Sequence, residues 1–220
     1  MKRSSHNRLT VRSLPLFPHD TLFDKIARSV SLAGCLPRKE LFEAWEVARQ
    51  TRRKFRGGRI VDLACGHGLL AQMMLLLDHT SPGAIAVDKF LPPSCLKLHT
   101  TLARDWPWLE NRIDFIQKDL NAIELTPQDI VVSAHACGSL SDTIIDRAIE
   151  AGARLALLPC CHDLKTCDSG GLQGWMDGPL AIDTIRVERL KKNGYSVTTR
   201  TIPVDITPKN RLILAERQNN

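Results

Sequence analysis

Ile60-Val61-Asp62-Leu63-Ala64-Cys65-Gly66-His67-Gly68-Leu69 decides the fold of this 220-residue chain. A β-branched apolar run leads into an acid, then a turn holding Gly66 and Gly68, then the apolar helical stretch 69–77. Glycine serves where backbone must take positive φ or approach a ligand closely, and a helix start offers unpaired N–H groups. A dinucleotide fingerprint would place a third glycine at the G-x-G-x-x-G offset, and none follows here. Asp62 at the strand end would repel a pyrophosphate; it suits a cationic amino-acid group instead.

Outward from this segment, strand-like and helical stretches alternate. Strands are predicted at 59–64, 84–88, 113–119, 129–135, 155–160, 196–204 and 212–216. Between them lie helices at 69–77 and 93–104, one capped by Ser141 and ended by Gly152, and one over 179–193 closed by Gly194. Such alternation predicts an α/β fold, a doubly wound, Rossmann-like, seven-stranded sheet. The last connection, about seven residues, is too short for a crossover, so the last strand should be antiparallel. Upstream, Leu41, Phe42, Trp45 and Ala48 fall at helical spacing over 38–55, with Arg52, Arg53 and Lys54 in the last turn and Gly57-Gly58 as the stop. Residues 1–37 lack periodicity and contain Pro15, Pro18 and Pro37, which predicts a loose arm with one helix near 21–32. The chain therefore divides into a basic N-terminal arm and helix, 1–57, and an α/β domain, 58–220.

At 43% hydrophobic and 25% charged, the composition excludes a disordered chain and a small disulfide scaffold. The longest apolar stretch, 69–77, is broken by Gln72 and far too short for a bilayer, so no membrane is expected. Residues 1–59 hold 14 Lys/Arg against 5 Asp/Glu, whereas 60–220 hold 16 against 19. A basic arm on a slightly acidic body suits a polyanion, most often nucleic acid; the alternative is a solvated basic helix. The first 19 residues carry four Lys/Arg and no acid, a composition shared with organelle-targeting segments. Seven cysteines without an export signal suggest a reducing compartment, the cytoplasm, rather than a disulfide framework.

The D-x-A-x-G-x-G arrangement over 62–68 resembles the first motif of class I S-adenosylmethionine-dependent methyltransferases, with Ala64 where that family usually has glycine. The resemblance implies that Asp62, Ala64, Cys65, Gly66, His67 and Gly68 hold the methionine portion of S-adenosyl-L-methionine. It implies that Asp88, followed by Lys89, binds the ribose hydroxyls and that Asp119-Leu120 meets the adenine. After the fourth and fifth strands come His135-Ala136-Cys137-Gly138 and Cys160-Cys161-His162, beside the methyl group, with His135 bordering the cofactor as well. No Asn/Asp-Pro-Pro-aromatic signature occurs, which disfavours methylation of an exocyclic base amine. H-A-C-G and C-C-H resemble a smaller branch of the superfamily. That branch includes the tRNA acceptor-stem 2′-O-methyltransferases and the glutathione-S-transferase-C-terminal-domain-containing proteins, and the similarity covers about 59–165. The zinc-finger modules that accompany the tRNA enzymes are missing.

The resemblance implies methyl transfer; the substrate of the tRNA enzymes does not carry over with it, and the basic arm and helix make structured RNA (tRNA or rRNA) the expected acceptor, with the ribose 2′-hydroxyl favoured. His135 or His162 would take the hydroxyl proton. Alternatively, Cys137 with Cys160 or Cys161 mimics the two cysteines of RNA cytosine-C5 methyltransferases, although the acid of their Asp-Ala-Pro-Cys motif is absent here. No metal is expected: Cys137, Cys160, Cys161, His162 and Cys167 contain no C-x-x-C pair, and adjacent cysteines rarely reach one tetrahedral ion. The cysteines could equally be small packed hydrophobes. Substrate contacts are expected from Arg52, Arg53 and Lys54, from Trp175 in the glycine-rich loop after Cys161, and from Lys209, Asn210 and Arg211 in the last turn. A protein or small-molecule methyltransferase and a non-catalytic cofactor- or RNA-binding module are the competing classes.

Overall fold

A computed structural model describes residues 1–218. Seven strands form one sheet: β1 (Ile60–Leu63), β2 (Ala84–Asp88), β3 (Ile113–Gln117), β4 (Ile130–Ser133), β5 (Arg154–Leu157), β6 (Tyr195–Thr201) and β7 (Arg211–Arg217). Their order is β3-β2-β1-β4-β5-β7-β6. The first five are parallel, with Ile60 opposite both Ala84 and Ile130. β7 is antiparallel to both neighbours, so β6 runs in the direction of β1–β5. The strand order reverses between β1 and β4, which opens a crevice at their carboxyl ends.

The helices are α1 (Leu22–Ala33), α2 (Arg38–Lys54), α3 (Leu69–Leu77), α4 (Ser94–Asp105), α5 (Leu140–Ala151) and α6 (Gly178–Lys192). The strands feed two cores alternately. Ile60, Ala86, Ile130 and Leu214 face one core with residues of α1–α4; Val61, Val87, Val131 and Ile213 face the other with α5 and α6. Burial on both faces explains why β2 and β4 are apolar up to their last residues and why Asp62 is the one polar residue of β1. Among the described residues no helix is long and apolar enough to cross a membrane.

Residues 1–37 are not a loose arm. Leu9, Phe17 and Leu36 are buried in the first core, and the Leu9 N–H donates to the Leu36 carbonyl at 2.8 Å. Val11–Leu16 form a 3₁₀ turn, and Thr21 caps α1 by accepting from the Asp24 N–H. The prolines remove the periodicity that would reveal the packing, but the segment still buries Leu9, Phe17, Ile26, Val30 and Leu36.

Five strands end earlier than predicted; for β3, at Gln117, β4, at Ser133, and β5, at Leu157, this leaves Asp119, His135 and Cys160 on the loops beyond. Ser141 is not a cap. It lies inside α5, and its buried hydroxyl donates to the Ala136 carbonyl at 2.8 Å.

Candidate active site

The turn after β1 is built by three residues at positive φ: Ala64 (58°), Gly66 (54°) and Gly68 (68°). A Cβ on Gly68 would come within 2.6 Å of the Phe115 ring, so this glycine seats the turn on β3; one on Gly66 would meet nothing within 4 Å, leaving that backbone open to a ligand. Ala64 takes the left-handed conformation despite its Cβ, a strain of about 1–2 kcal/mol.

Asp62 is buried, and its Oδ2 accepts the Ala71 N–H of α3 at 3.2 Å. Burial outweighs that bond and pushes its carboxyl up to about 8. Asp88, at the end of β2, accepts the Gly66 N–H at 2.9 Å on one oxygen and the Phe90 N–H at 3.2 Å on the other. Each oxygen keeps a lone pair for a further donor. Asp119 is exposed beyond β3 and accepts the Asn121 N–H; Lys89 is exposed and Leu120 half-buried.

These residues fit S-adenosylmethionine. Backbone is open over Gly66, two carboxylates with spare acceptors stand at successive strand ends, and a buried carboxyl lies where a cationic amine would supply the missing counter-charge. The inner end is tight. A cavity of about 10 Å³, roughly a single water, is lined by Asp62, Cys65, His67 and His135 and roofed by Leu36, Glu40 and Ala44. His67 Nδ1 lies 3.7 Å from Glu40, and burial holds its pKa below the ordinary value. Glu40 escapes sequence reasoning because nothing local records that the first turn of α2 covers the turn after β1.

The two Cys/His segments converge. Cys137 and Cys161 form an isolated parallel bridge, and the Gly138 N–H donates to the Cys161 carbonyl at 3.0 Å. Cys137 Sγ lies 3.0 Å from Cys160 Sγ, which is 3.8 Å from Cys161 Sγ. Lys209 Nζ donates to Cys161 Sγ at 3.5 Å. A hydrogen bond from Cys137, then Cys160 and Lys209, holds the Cys161 thiol below the ordinary range, whereas burial pushes Cys137 and Cys160 up.

The two histidines differ. His135 is exposed beside the cavity. The side chain of His162 is buried, with Nε2 2.7 Å from Asp183 of α6. Asp183 also accepts from Arg211 Nε at 2.7 Å and Arg186 Nη1 at 3.3 Å. Burial opposes its ionisation, but the bonds from His162 and Arg211 prevail and hold its carboxyl below the usual range. Arg186 is fully buried, pairs with Asp142 and donates to the Gly138 carbonyl at 2.9 Å. One helix thus anchors both loops. In the sequence, Asp183 and Arg186 look like an ordinary solvated i,i+3 pair.

The expected substrate contacts divide. Trp175 is 88% exposed and does not cover the core. Lys209 is exposed near the cysteines, because β6 runs parallel to β1 and brings the last turn to the same end of the sheet. Asn210 Nδ2 donates to the Ile202 carbonyl and Arg211 is held by Asp183, so both shape the turn.

Arg52 is not a surface cation. It is buried, 3.1 Å from Asp78, and donates to the Met74 carbonyl and Ser81 hydroxyl. Arg53 is exposed and Lys54 pairs with Glu216. All three lie at the far end of α2 from Glu40, roughly 18 Å along the axis at 1.5 Å per residue.

Comparison with known proteins agrees with this geometry. No curated protein matches the chain in sequence. Among solved structures, the tRNA methyltransferase TrmK of B. subtilis is similar at 21% identity, with 80% of this chain and 66% of that one covered and a TM-score of 0.54. An O-methyltransferase family protein of Burkholderia thailandensis covers 97% of this chain and 65% of its own, at 16% identity and a TM-score of 0.55. The precorrin-6y C5,15-methyltransferase of Geobacter metallireducens, at 13% identity, covers 80% and 87%, with a TM-score of 0.51. At these identities the likeness is one of fold, and the chain spans about two thirds of the length of the first two. A family model described as "Methyltransferase domain" matches residues 39–167, from the first turn of α2 through both Cys/His segments. The open glycine turn, the acids at successive strand ends and this match over more than half the chain place the protein in the methyltransferase-domain family of S-adenosylmethionine-dependent enzymes.

Proposed function

We propose that this protein methylates structured RNA, tRNA or rRNA, in the cytoplasm, with a ribose 2′-hydroxyl as acceptor. The observation that carries the proposal is the exposed His135 beside the cavity that also holds Asp62 and His67. Bound over the open backbone of Gly66, S-adenosylmethionine would supply an electrophilic methyl group on its sulfonium. The remaining work is placement and proton removal. Methyl transfer depends chiefly on aligning the acceptor oxygen with the methyl group. A hydroxyl must also lose its proton, and His135 is the accessible base. His162 is engaged by Asp183 and orients the loop that carries Cys160 and Cys161.

RNA is favoured by chemistry at the rim. Lys209 is available for a phosphate and Trp175 for a base face. Arg3 of the N-terminal segment pairs with Asp205 in the same last turn, which ties that segment to this edge. Aromatic residues make up 5% of the chain, too few for a stacked single strand, so contacts through the phosphates of a folded RNA fit better. TrmK acts on tRNA, while other structural neighbours are small-molecule methyltransferases.

The 3.0 Å approach of Cys137 and Cys160 favours a second reading, methylation of cytosine C5. The missing acid counts against it, because thiolate addition to the base then lacks its proton donor.

The test is transfer of label from methyl-tritiated S-adenosylmethionine into small RNA from cells lacking this protein. Nuclease-sensitive, protease-resistant label is the expected result. Nucleoside analysis then separates 2′-O-methylribose from 5-methylcytosine. Label in protein or small molecules, or none while the cofactor still binds, overturns the RNA assignment.

A further inference from the structure

We propose that Cys137, Cys160 and Cys161 form a binding site for one thiophilic divalent ion of the zinc class, held by three thiolates. The sequence argues against a metal because adjacent cysteines rarely share an ion, and the tertiary structure removes that objection. The three Sγ atoms all lie within 4.8 Å of one another, and those of the adjacent pair are 3.8 Å apart. Zinc–sulfur bonds of about 2.3 Å in a tetrahedron separate the sulfurs by about 3.8 Å. The 3.0 Å approach of Cys137 to Cys160 must widen, and Cys137 is on an exposed loop.

Backbone, not the side chains, makes this frame. The Cys137–Cys161 bridge and the Gly138-to-Cys161 hydrogen bond register the loops, and Arg186 pins the Gly138 carbonyl from α6. Two further ligand types on the same loop are committed elsewhere. His162 is bound to Asp183, and buried Cys167 lies against Arg186 Nη2. Three thiolates on a dication leave one net negative charge, which the Lys209 ammonium beside Cys161 offsets. Three protein ligands leave a fourth position for water or substrate, as in zinc sites that keep one open. Binding transfers the three thiol protons to solvent and involves no change of oxidation state. The inference does not depend on which acceptor is methylated.

The experiment titrates the full, untagged, fully reduced chain with cadmium(II) and cobalt(II) in the absence of air, with zinc(II) as competitor. Saturation at one equivalent is expected, with an intense ultraviolet thiolate-to-cadmium charge-transfer band that zinc removes. Cys137→Ser, Cys160→Ser and Cys161→Ser should each weaken binding by at least about 10- to 100-fold, the range seen even for outer-shell partners of metals. Cys35→Ser, outside the cluster, should bind as the parent does. Thermal melting checks that each variant folds, and Cys137→Ser is decisive because that side chain is exposed. No saturable band, or a band unchanged in Cys137→Ser, overturns the site.

Discussion

Asp62 lies inside β1 and Asp88 ends β2, and their surroundings set them different tasks. Asp62 is buried beneath α2 with its carboxyl raised to about 8, so it is protonated at pH 7 in the free protein. The unfolded chain gives up that proton near pH 4, the folded one only near 8. Across that window the folded state holds more protons, so this group's contribution to stability falls as pH rises. Urea midpoints measured from pH 5 to 8 should decline less for Asp62→Asn than for the parent. A bound ammonium group would favour the ionised form, so cofactor binding at pH 7 should release a proton from the parent and not from Asp62→Asn. Calorimetry in buffers of different ionisation enthalpy measures this directly. If Asp88 holds the cofactor ribose, Asp88→Ala, which also removes the partner of the Gly66 N–H, should weaken cofactor binding by about 1.5–3 kcal/mol in a calorimetric titration. Ala64→Gly relieves the left-handed strain while adding backbone entropy to the unfolded state, and should raise stability by about 0.5–1 kcal/mol in denaturant melts.

At the scale of elements, α2 carries basic residues with opposite fates. Its last turn packs against the end of α3, where Arg52 meets Asp78. Burial draws the Arg52 pKa down to about 10, while Asp78 supports its charge. Arg52→Ala leaves that carboxylate without its buried partner and should cost about 3 kcal/mol in unfolding free energy. Arg53→Ala, one residue on and exposed, should change stability by less than about 0.5 kcal/mol. The sequence shows a helix of the right length with cations at its end, but not which cation faces α3. Likewise, Asp183 and Arg186 of α6 are written as a helical pair, and only the approach of the loops after β4 and β5 makes them the anchor of His162 and Gly138.

For the whole molecule, the N-terminal segment packs its apolar residues into the first core beside the sheet and leaves its basic ones outside, so where its charge lies is set by tertiary placement. Lys209 arrives there because β7 reverses direction and β6 resumes that of β1. If turnover depends on gripping phosphates, log affinity for RNA should fall steeply with log salt concentration. Lys209→Ala should then reduce that slope by about 1, and filter binding across a salt series measures it. A shallow slope that the substitution leaves unchanged would favour a small or protein acceptor.

From its sequence alone, the chain determines the alternation of strands and helices, the glycine turn after β1 and the acids at the ends of β2 and β3. These depend on local conformation and on short-range periodicity, which neighbouring residues encode directly. Only the tertiary structure decides that Arg52 is a buried partner rather than a surface grip, that residues 1–37 are packed, and that Glu40 roofs the cavity. The gathering of Cys137, Cys160 and Cys161 is decided there as well. Each depends on contacts between segments far apart in the chain, where burial and backbone pairing, not residue type, determine what a side chain meets.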